Sequence, residues 1–228
     1  MWLINSSIGR KVVMSVTGIC LILFLTFHCC MNVVALFSGE GYNWICEMLG
    51  ANWYAVVATM GLALLAALHI FFAFWLTMQN RKARGNERYD VTERRSEVSW
   101  ASQNMLVLGI IILIGLLIHL YDFWYNMMFA ELFPSIHYDA APADGFGKIV
   151  ATFSNPVKVV LYVIWIVAIW FHLSHGFWSA MHTLGWSGKI WQKRWQCIGI
   201  IYVTILMAMF LIVVLAFAFK LAPSLCVA

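Results

Sequence analysis

The chain has 228 residues, of which 63% are hydrophobic and 11% charged, with a mean hydropathy of +0.85 and a formal net charge of +4. Globular domains average about 45–50% apolar and about 25% charged residues, so a soluble domain of this length has too small an interior for so much apolar surface. The modest positive charge gathers in loops and gives no reason to expect a nucleic-acid partner.

Five stretches carry no Asp, Glu, Lys or Arg: those between Lys11 and Glu40, Glu47 and Arg81, Glu97 and Asp122, Lys158 and Lys189, and Arg194 and Lys220. Each exceeds the roughly 20 residues that cross a hydrocarbon core of about 30 Å. The expectation is a single all-α domain over residues 1–228, an integral membrane bundle of five helices at about 12–37, 53–80, 100–129, 156–182 and 195–221. The first apolar run, Val12 to Phe37, is longer than the h-region of a signal peptide and no small-residue cleavage site follows it, so this helix is expected to be retained.

The loops set the orientation. Arg10, Lys11, the segment "NRKARGNERYDVTERRSE" (80–97) with Arg81, Lys82, Arg84, Arg88, Arg94 and Arg95, and then Lys189, Lys193 and Arg194 fall on one side. The other side receives Lys148, Lys158 and Lys220 against Glu40, Glu47, Glu131, Asp139 and Asp144. The positive-inside rule places the N-terminus in the cytoplasm and the C-terminus outside. The long outer loop, 130–155, holds Pro134, Pro142, Gly145 and Gly147 and reads as irregular with a short interfacial helix. No soluble segment is large enough for an active site of its own.

Six cysteines form no C-x-x-C and no C-x-x-C-H, so zinc, iron–sulfur and covalent haem attachment lack their signatures. Cys20, Cys29, Cys30 and Cys197 fall in or near spans as small hydrophobes. Of the tryptophans, Trp2, Trp44, Trp53, Trp100, Trp186, Trp191 and Trp195 sit near span ends, where an aromatic belt is expected. Trp75, Trp165, Trp170 and Trp178 lie deeper, packed in the bundle or beside a flat cofactor, the bundle being the expectation.

Ionisable residues within spans face the bundle interior and mark functional sites. His28, His69, His119 and His172 lie one on each of the first four spans. His28 is 18 residues beyond Arg10, about 27 Å at roughly 1.5 Å per residue, and His119 is 19 beyond Trp100, which places both in the outer half. His69 is 16 residues past Trp53 and His172 is 16 past Pro156, on spans running inward, which places both in the inner half. Depth therefore pairs His28 with His119 and His69 with His172. Two neutral imidazoles at one depth can ligate one haem iron from opposite faces, and such an iron has no open position, which suits electron transfer. Interhelical hydrogen bonding is the competing reading of each histidine. A structural zinc would need four ligands where pairing gives two. Gly176 follows His172 by four residues and Gly115 precedes His119 by four, each on its histidine's face, where a missing side chain serves either a macrocycle or helix contact.

The elements "SSIGRKVVMSVTG" (6–18), "FHCCMN" (27–32), "LHIFFAF" (68–74), "GLLIHLY" (115–121) and "FHLSHGFW" (171–178) together resemble the single-chain, five-helix, di-haem cytochrome b subunit of succinate dehydrogenase/fumarate reductase, over nearly the whole chain. The resemblance implies two haem b groups, with His69 and His172 as iron ligands of the inner one and His28 and His119 of the outer. It implies a flavoprotein subunit with FAD and the dicarboxylate site, and an iron–sulfur subunit, both on the cytoplasmic face of a bacterial inner membrane. It also implies a quinone, often menaquinone, reacting near the outer haem.

Quinol oxidation releases protons, and relatives use a glutamate near the first outer loop; Glu47 is the first choice here, with Glu40 and Asp122 as alternatives. Arg10, Lys11, Arg81, Lys82 and His182 are candidate propionate partners or plain interface anchors. His175 is a neighbour of the inner ligand, roughly 60° around the helix from His172, and His137 is an outer-loop residue. Some relatives carry a glutamate two residues before the fourth-span ligand; Trp170 stands there, which leaves transmembrane proton coupling in question. The di-haem subunit of a hydrogenase, formate dehydrogenase or nitrate reductase is an alternative that the "SSIGRK" start argues against. A transport or structural membrane protein without haem is another.

Overall fold

A computed structural model describes residues 6–84, 100–136 and 141–226. Arg88, Arg94, Arg95, His137 and Asp139 lie outside these. Among the described residues the chain is all helix, with five helices long and apolar enough to cross a membrane. In chain order the elements are α1 (Ser7–Phe37), α2 (Gly39–Met48), α3 (Trp53–Arg84), α4 (Met105–Leu132), α5 (Gly145–Phe153), α6 (Pro156–Thr183) and α7 (Lys189–Ala218). The spans are α1, α3, α4, α6 and α7. A single turn, Trp100–Gln103, precedes α4, and a 3-10 turn, Pro223–Cys226, follows α7.

Local chemistry sets the breaks. The Ser6 hydroxyl accepts from Gly9 N (2.9 Å) and starts α1. Ser38, extended at φ −148° and ψ 117°, serves two helices: its own N–H donates to Val34 O and its hydroxyl accepts from Gly41 N (3.0 Å). Asn155 caps α6 with Pro156 in its first turn. Within α4 the α-helix Met105–His119 gives way to a π-helical segment, Leu120–Phe129.

Cross-helix contacts give the topology. Thr17 meets His69 and Arg10 lies over Trp75, so α1 and α3 are antiparallel. Trp165 Nε1 donates to Ile112 O (3.0 Å) and Lys158 pairs with Asp122, so α4 and α6 are antiparallel. Trp170 bonds Thr204 and Phe177 meets Trp195, so α6 and α7 are antiparallel. Tyr202 bonds Thr26, the Cys29 thiol faces Leu206 O and Ser224 Oγ donates to Ala35 O (2.7 Å), so α1 and α7 run parallel. One end of the bundle thus carries Arg10, Lys11, Arg81, Lys82, Lys189, Lys193 and Arg194. The other is closed by α2 and α5.

The principal core joins Cys29 and Ala35 of α1, Ile149 of α5, Ile166 of α6 and Val203 and Phe217 of α7. Outward faces expose large apolar side chains such as Leu64, Ile114, Val160 and Ile201, each more than half exposed. Apolar surface of this extent is consistent with helices that lie in a bilayer.

Several boundaries differ from the sequence expectation. Helix α1 begins at Ser7 instead of 12, α3 runs to Arg84 instead of 80, and α7 begins at Lys189 instead of 195. Basic residues continue a helix into the headgroup region, so hydropathy ends a span one or two turns before the backbone does. The span expected at 100–129 is interrupted at Asn104 and extends to Leu132, and α7 ends at Ala218 instead of 221. The loop between the first two spans is largely helical, as α2, and the loop between α4 and α6 contains the short helix α5.

Candidate functional site

The pair nearer the capped end, outer in the expected orientation, comes from α1 and α4. The His28 and His119 ring centres are 5.8 Å apart with planes crossed at 86°. Phe24 stacks on His28 and Phe210 of α7 lies 5.9 Å from it. His119 is walled by Phe123, Tyr162 and Trp165. Asn32 Nδ2 lies 3.3 Å from His28 Nε2 and donates to His28 O at 2.8 Å. The Tyr42 hydroxyl of α2 donates to Asn32 Oδ1 (3.2 Å).

The inner pair comes from α3 and α6. The His69 and His172 ring centres are 6.4 Å apart with planes at 68°. His69 Nδ1 lies 3.1 Å from Thr17 Oγ1. Thr17 touches the inner pair and His28 belongs to the outer one; eleven residues of α1 separate them, an axial distance of about 16 Å. The pairing read from depth is therefore met side chain to side chain.

The two rings of each pair are close enough for one metal ion to be shared between them. Two metal–nitrogen bonds of about 2.0–2.1 Å plus a ring radius of about 1.1 Å at each end put the centres of two opposed imidazoles about 6.2–6.4 Å apart, a spacing the inner pair meets and the outer pair falls short of by about half an ångström. Rotation about each bond is free, so crossed planes are compatible with it. Among the described residues, His119 Nδ1, His172 Nδ1 and His175 Nδ1 are buried without a hydrogen-bond partner. Among the described residues no three His, Cys, Asp or Glu side chains gather with metal-ligand spacing; the histidines meet two at a time.

The neighbours divide. A Cβ on Gly115 would overlap the Trp165 indole, so this glycine seats a tryptophan that itself walls His119. A Cβ on Gly176 would meet nothing within 4 Å. His175 packs edge-on against Trp178 at 5.0 Å, and His182 is exposed. Arg10 stacks over Trp75 at 4.9 Å, while Lys11, Arg81 and Lys82 are exposed at the basic end. Trp170 Nε1 donates to Thr204 Oγ1 (2.9 Å).

Of the three candidate proton acceptors, Asp122 is engaged. Its carboxylate accepts from Lys158 Nζ (2.6 Å) and from the Tyr162 hydroxyl (3.1 Å). Glu40 and Glu47 instead line one open cleft of about 450 Å³ with Asn43, Trp44, Ala143 and Asp144. Asn43 fixes the cleft floor: Nδ2 donates to Asp144 Oδ1 (2.9 Å) and Oδ1 accepts from Phe146 N (2.7 Å), tying α2 to α5. Close by, burial pushes the Cys46 thiol up to about 11, with the Asp144 charge adding to the rise and the Tyr42 hydrogen bond opposing it. Burial, with the Cys46 interaction, also raises the Tyr42 phenol above its ordinary range.

Thr17, Asn32, Tyr42, Lys158 and Tyr162 were not singled out by sequence reasoning as partners of these groups. The signal present was polarity: Thr17 and Asn32 are hydrogen-bonding residues inside the first span, each within a quoted motif.

The fold is all-helical, with five helices long and apolar enough to cross a membrane, consistent with a multi-pass membrane protein, and two pairs of histidines between those helices. Comparison with protein-family models, curated proteins and solved structures gives no match for this chain.

Proposed function

We propose that this chain is the di-haem cytochrome b membrane anchor of a quinol:fumarate or succinate:quinone reductase in a bacterial inner membrane. The observation that carries the reading is the pair of two-histidine sites, four helices contributing one imidazole each, stacked along the bundle. His28 with His119, and His69 with His172, would hold the two groups. Haem b bound there would supply one-electron carriage across the membrane.

The chain's own residues do the rest. Phe24, Phe210, Trp165 and Tyr162 keep water from the outer imidazoles. At the capped end a quinone such as menaquinone is the substrate, and Glu47, lining the open cleft beside the aromatic wall of Trp44, takes a proton from the quinol hydroxyl. Glu40 is the alternative base; Asp122 is disfavoured because Lys158 and Tyr162 already occupy its oxygens. The N-terminus is cytoplasmic, and the exposed cations Lys11, Arg81, Lys82, Lys189 and Lys193 at the basic end receive the iron–sulfur and flavoprotein subunits, where the dicarboxylate chemistry takes place.

The test is a reduced-minus-oxidised absorption spectrum of the purified chain with haem counted per chain. The expected result is b-type α bands and two haems, with one lost in each of His28→Ala and His172→Ala. A folded chain without those bands would refute the assignment. Co-purification of a flavin-bearing chain and an iron–sulfur chain checks the partners.

A further inference from the structure

We propose that Thr17 is a positioning residue that fixes His69 in the Nδ1–H tautomer, so that Nε2 is the nitrogen left with a lone pair for the inner site; this rests on the haem reading above. Thr17 lies on α1, one helix away from the ring it touches, and is 4% exposed. Its Oγ1 is 2.9 Å from Val13 O, 3.1 Å from Met14 O and 3.1 Å from His69 Nδ1. A hydroxyl has one proton and a carbonyl can only accept. With the hydroxyl proton given to Val13 O, the oxygen accepts from Nδ1–H and two hydrogen bonds form. With the proton given to Nδ1, one forms, and the Nε2–H it implies has no acceptor among the described residues. The bond count selects Nδ1–H.

The seat is steric as well as polar. A Cβ on Gly18 would stand 3.3 Å from His69 Cε1 and 3.7 Å from Nδ1, so the next residue of α1 lets the ring lie against the helix backbone. None of the other three histidines is held this way. His119 and His172 have a buried Nδ1 without a partner, and His28 is approached at Nε2 by Asn32 of its own helix. The inner site therefore joins one imidazole anchored from a neighbouring helix to one that is not. An acceptor on the distal nitrogen fixes ring orientation and raises imidazole basicity, and its loss typically weakens metal retention about 10–100-fold.

The experiment compares the full chain with Thr17→Val, which keeps shape and removes the hydroxyl, and Thr17→Ser, which restores it. In haem-free protein with ring-15N-labelled histidine, His69 (assigned by His69→Gln) is expected to show Nδ1 protonated, to lose that preference in Thr17→Val and to regain it in Thr17→Ser. In haem-loaded protein the inner site's midpoint potential is expected to rise in Thr17→Val, with roughly tenfold weaker haem retention, and to return in Thr17→Ser. An unprotonated Nδ1 in the parent chain, or His69 shifts identical in Thr17→Val, overturns the proposal. A parent chain that binds no haem would sink the cytochrome reading while the 15N result still decides the tautomer, so the two failures are told apart.

Discussion

The Lys158–Asp122 pair makes a sharp energetic prediction because its two members are unequally placed. Asp122 is 7% exposed in the π-helical part of α4, whereas Lys158 is 29% exposed and two residues from the start of α6. Lys158→Met leaves a buried carboxylate with only the Tyr162 hydroxyl to stabilise it. Removing one partner of a buried pair costs about 3–5 kcal/mol, and the surviving Tyr162 bond puts this variant near the lower end, about 3 kcal/mol. Asp122→Asn frees an ammonium that can snorkel to the headgroups, and the new amide still accepts from Tyr162, so about 1 kcal/mol is expected. The double variant removes the unpaired charge and should be more stable than Lys158→Met by at least about 1 kcal/mol. Unfolding in mixed detergent micelles with increasing dodecyl sulfate, monitored by tryptophan fluorescence, measures all four corners of the cycle. Equal losses in the two single variants, or strict additivity in the double, would refute the unequal burial on which these figures rest.

The two glycines near the histidines should part company. Gly115→Ala drives a methyl into the Trp165 indole and is expected to destabilise by about 1–3 kcal/mol, with a shift in tryptophan emission. Gly176→Ala meets no atom and, in the haem-free chain, should be neutral or stabilising by up to about 1 kcal/mol in the same unfolding assay. In a variant retaining only Cys46, the alkylation rate should climb about tenfold per pH unit up to about pH 11, because the thiolate is the reactive form; rapid labelling at pH 8 would contradict its burial. Glu47→Gln should lower quinol oxidation by about 100-fold or more with unchanged haem spectra, and an unaffected rate would move the proton acceptor to Glu40.

The histidine pairing was legible because helical rise is fixed: counting residues from Arg10, Trp53, Trp100 and Pro156 gives depth without any knowledge of packing. Hydropathy found the five spans for the same reason. What it missed depends on rotation and crossing. Lys158 reads as an outer-loop cation and Asp122 as a candidate base, and only the antiparallel packing of α4 on α6 joins residues 36 apart in sequence. Residues 38–52 fall between the first two expected spans, yet Ser38 caps α2 there, and its asparagine and tyrosine then reach α5 and α1. Gly115 and Gly176 looked equivalent by spacing, but only one has a neighbour to accommodate. Thr17 sits in a motif that carried the resemblance, but its role depends on which ring nitrogen it meets, a fact of helix azimuth.

The parallel seam between α1 and α7 bears on biogenesis. Thr26 and Tyr202, 176 residues apart, are bonded across it, and Ser224 fastens the chain's last turn to the end of its first span. At about 5–20 residues per second the ribosome reaches Tyr202 roughly 10–35 s after Thr26. During that interval His28 stands on a membrane-inserted helix with its Phe210 wall not yet synthesised. Both histidines of the outer pair are made once α4 is complete and those of the inner pair once α6 is, while the Phe210 wall of His28 waits for α7. The pair made first is thus the one whose enclosure is finished last.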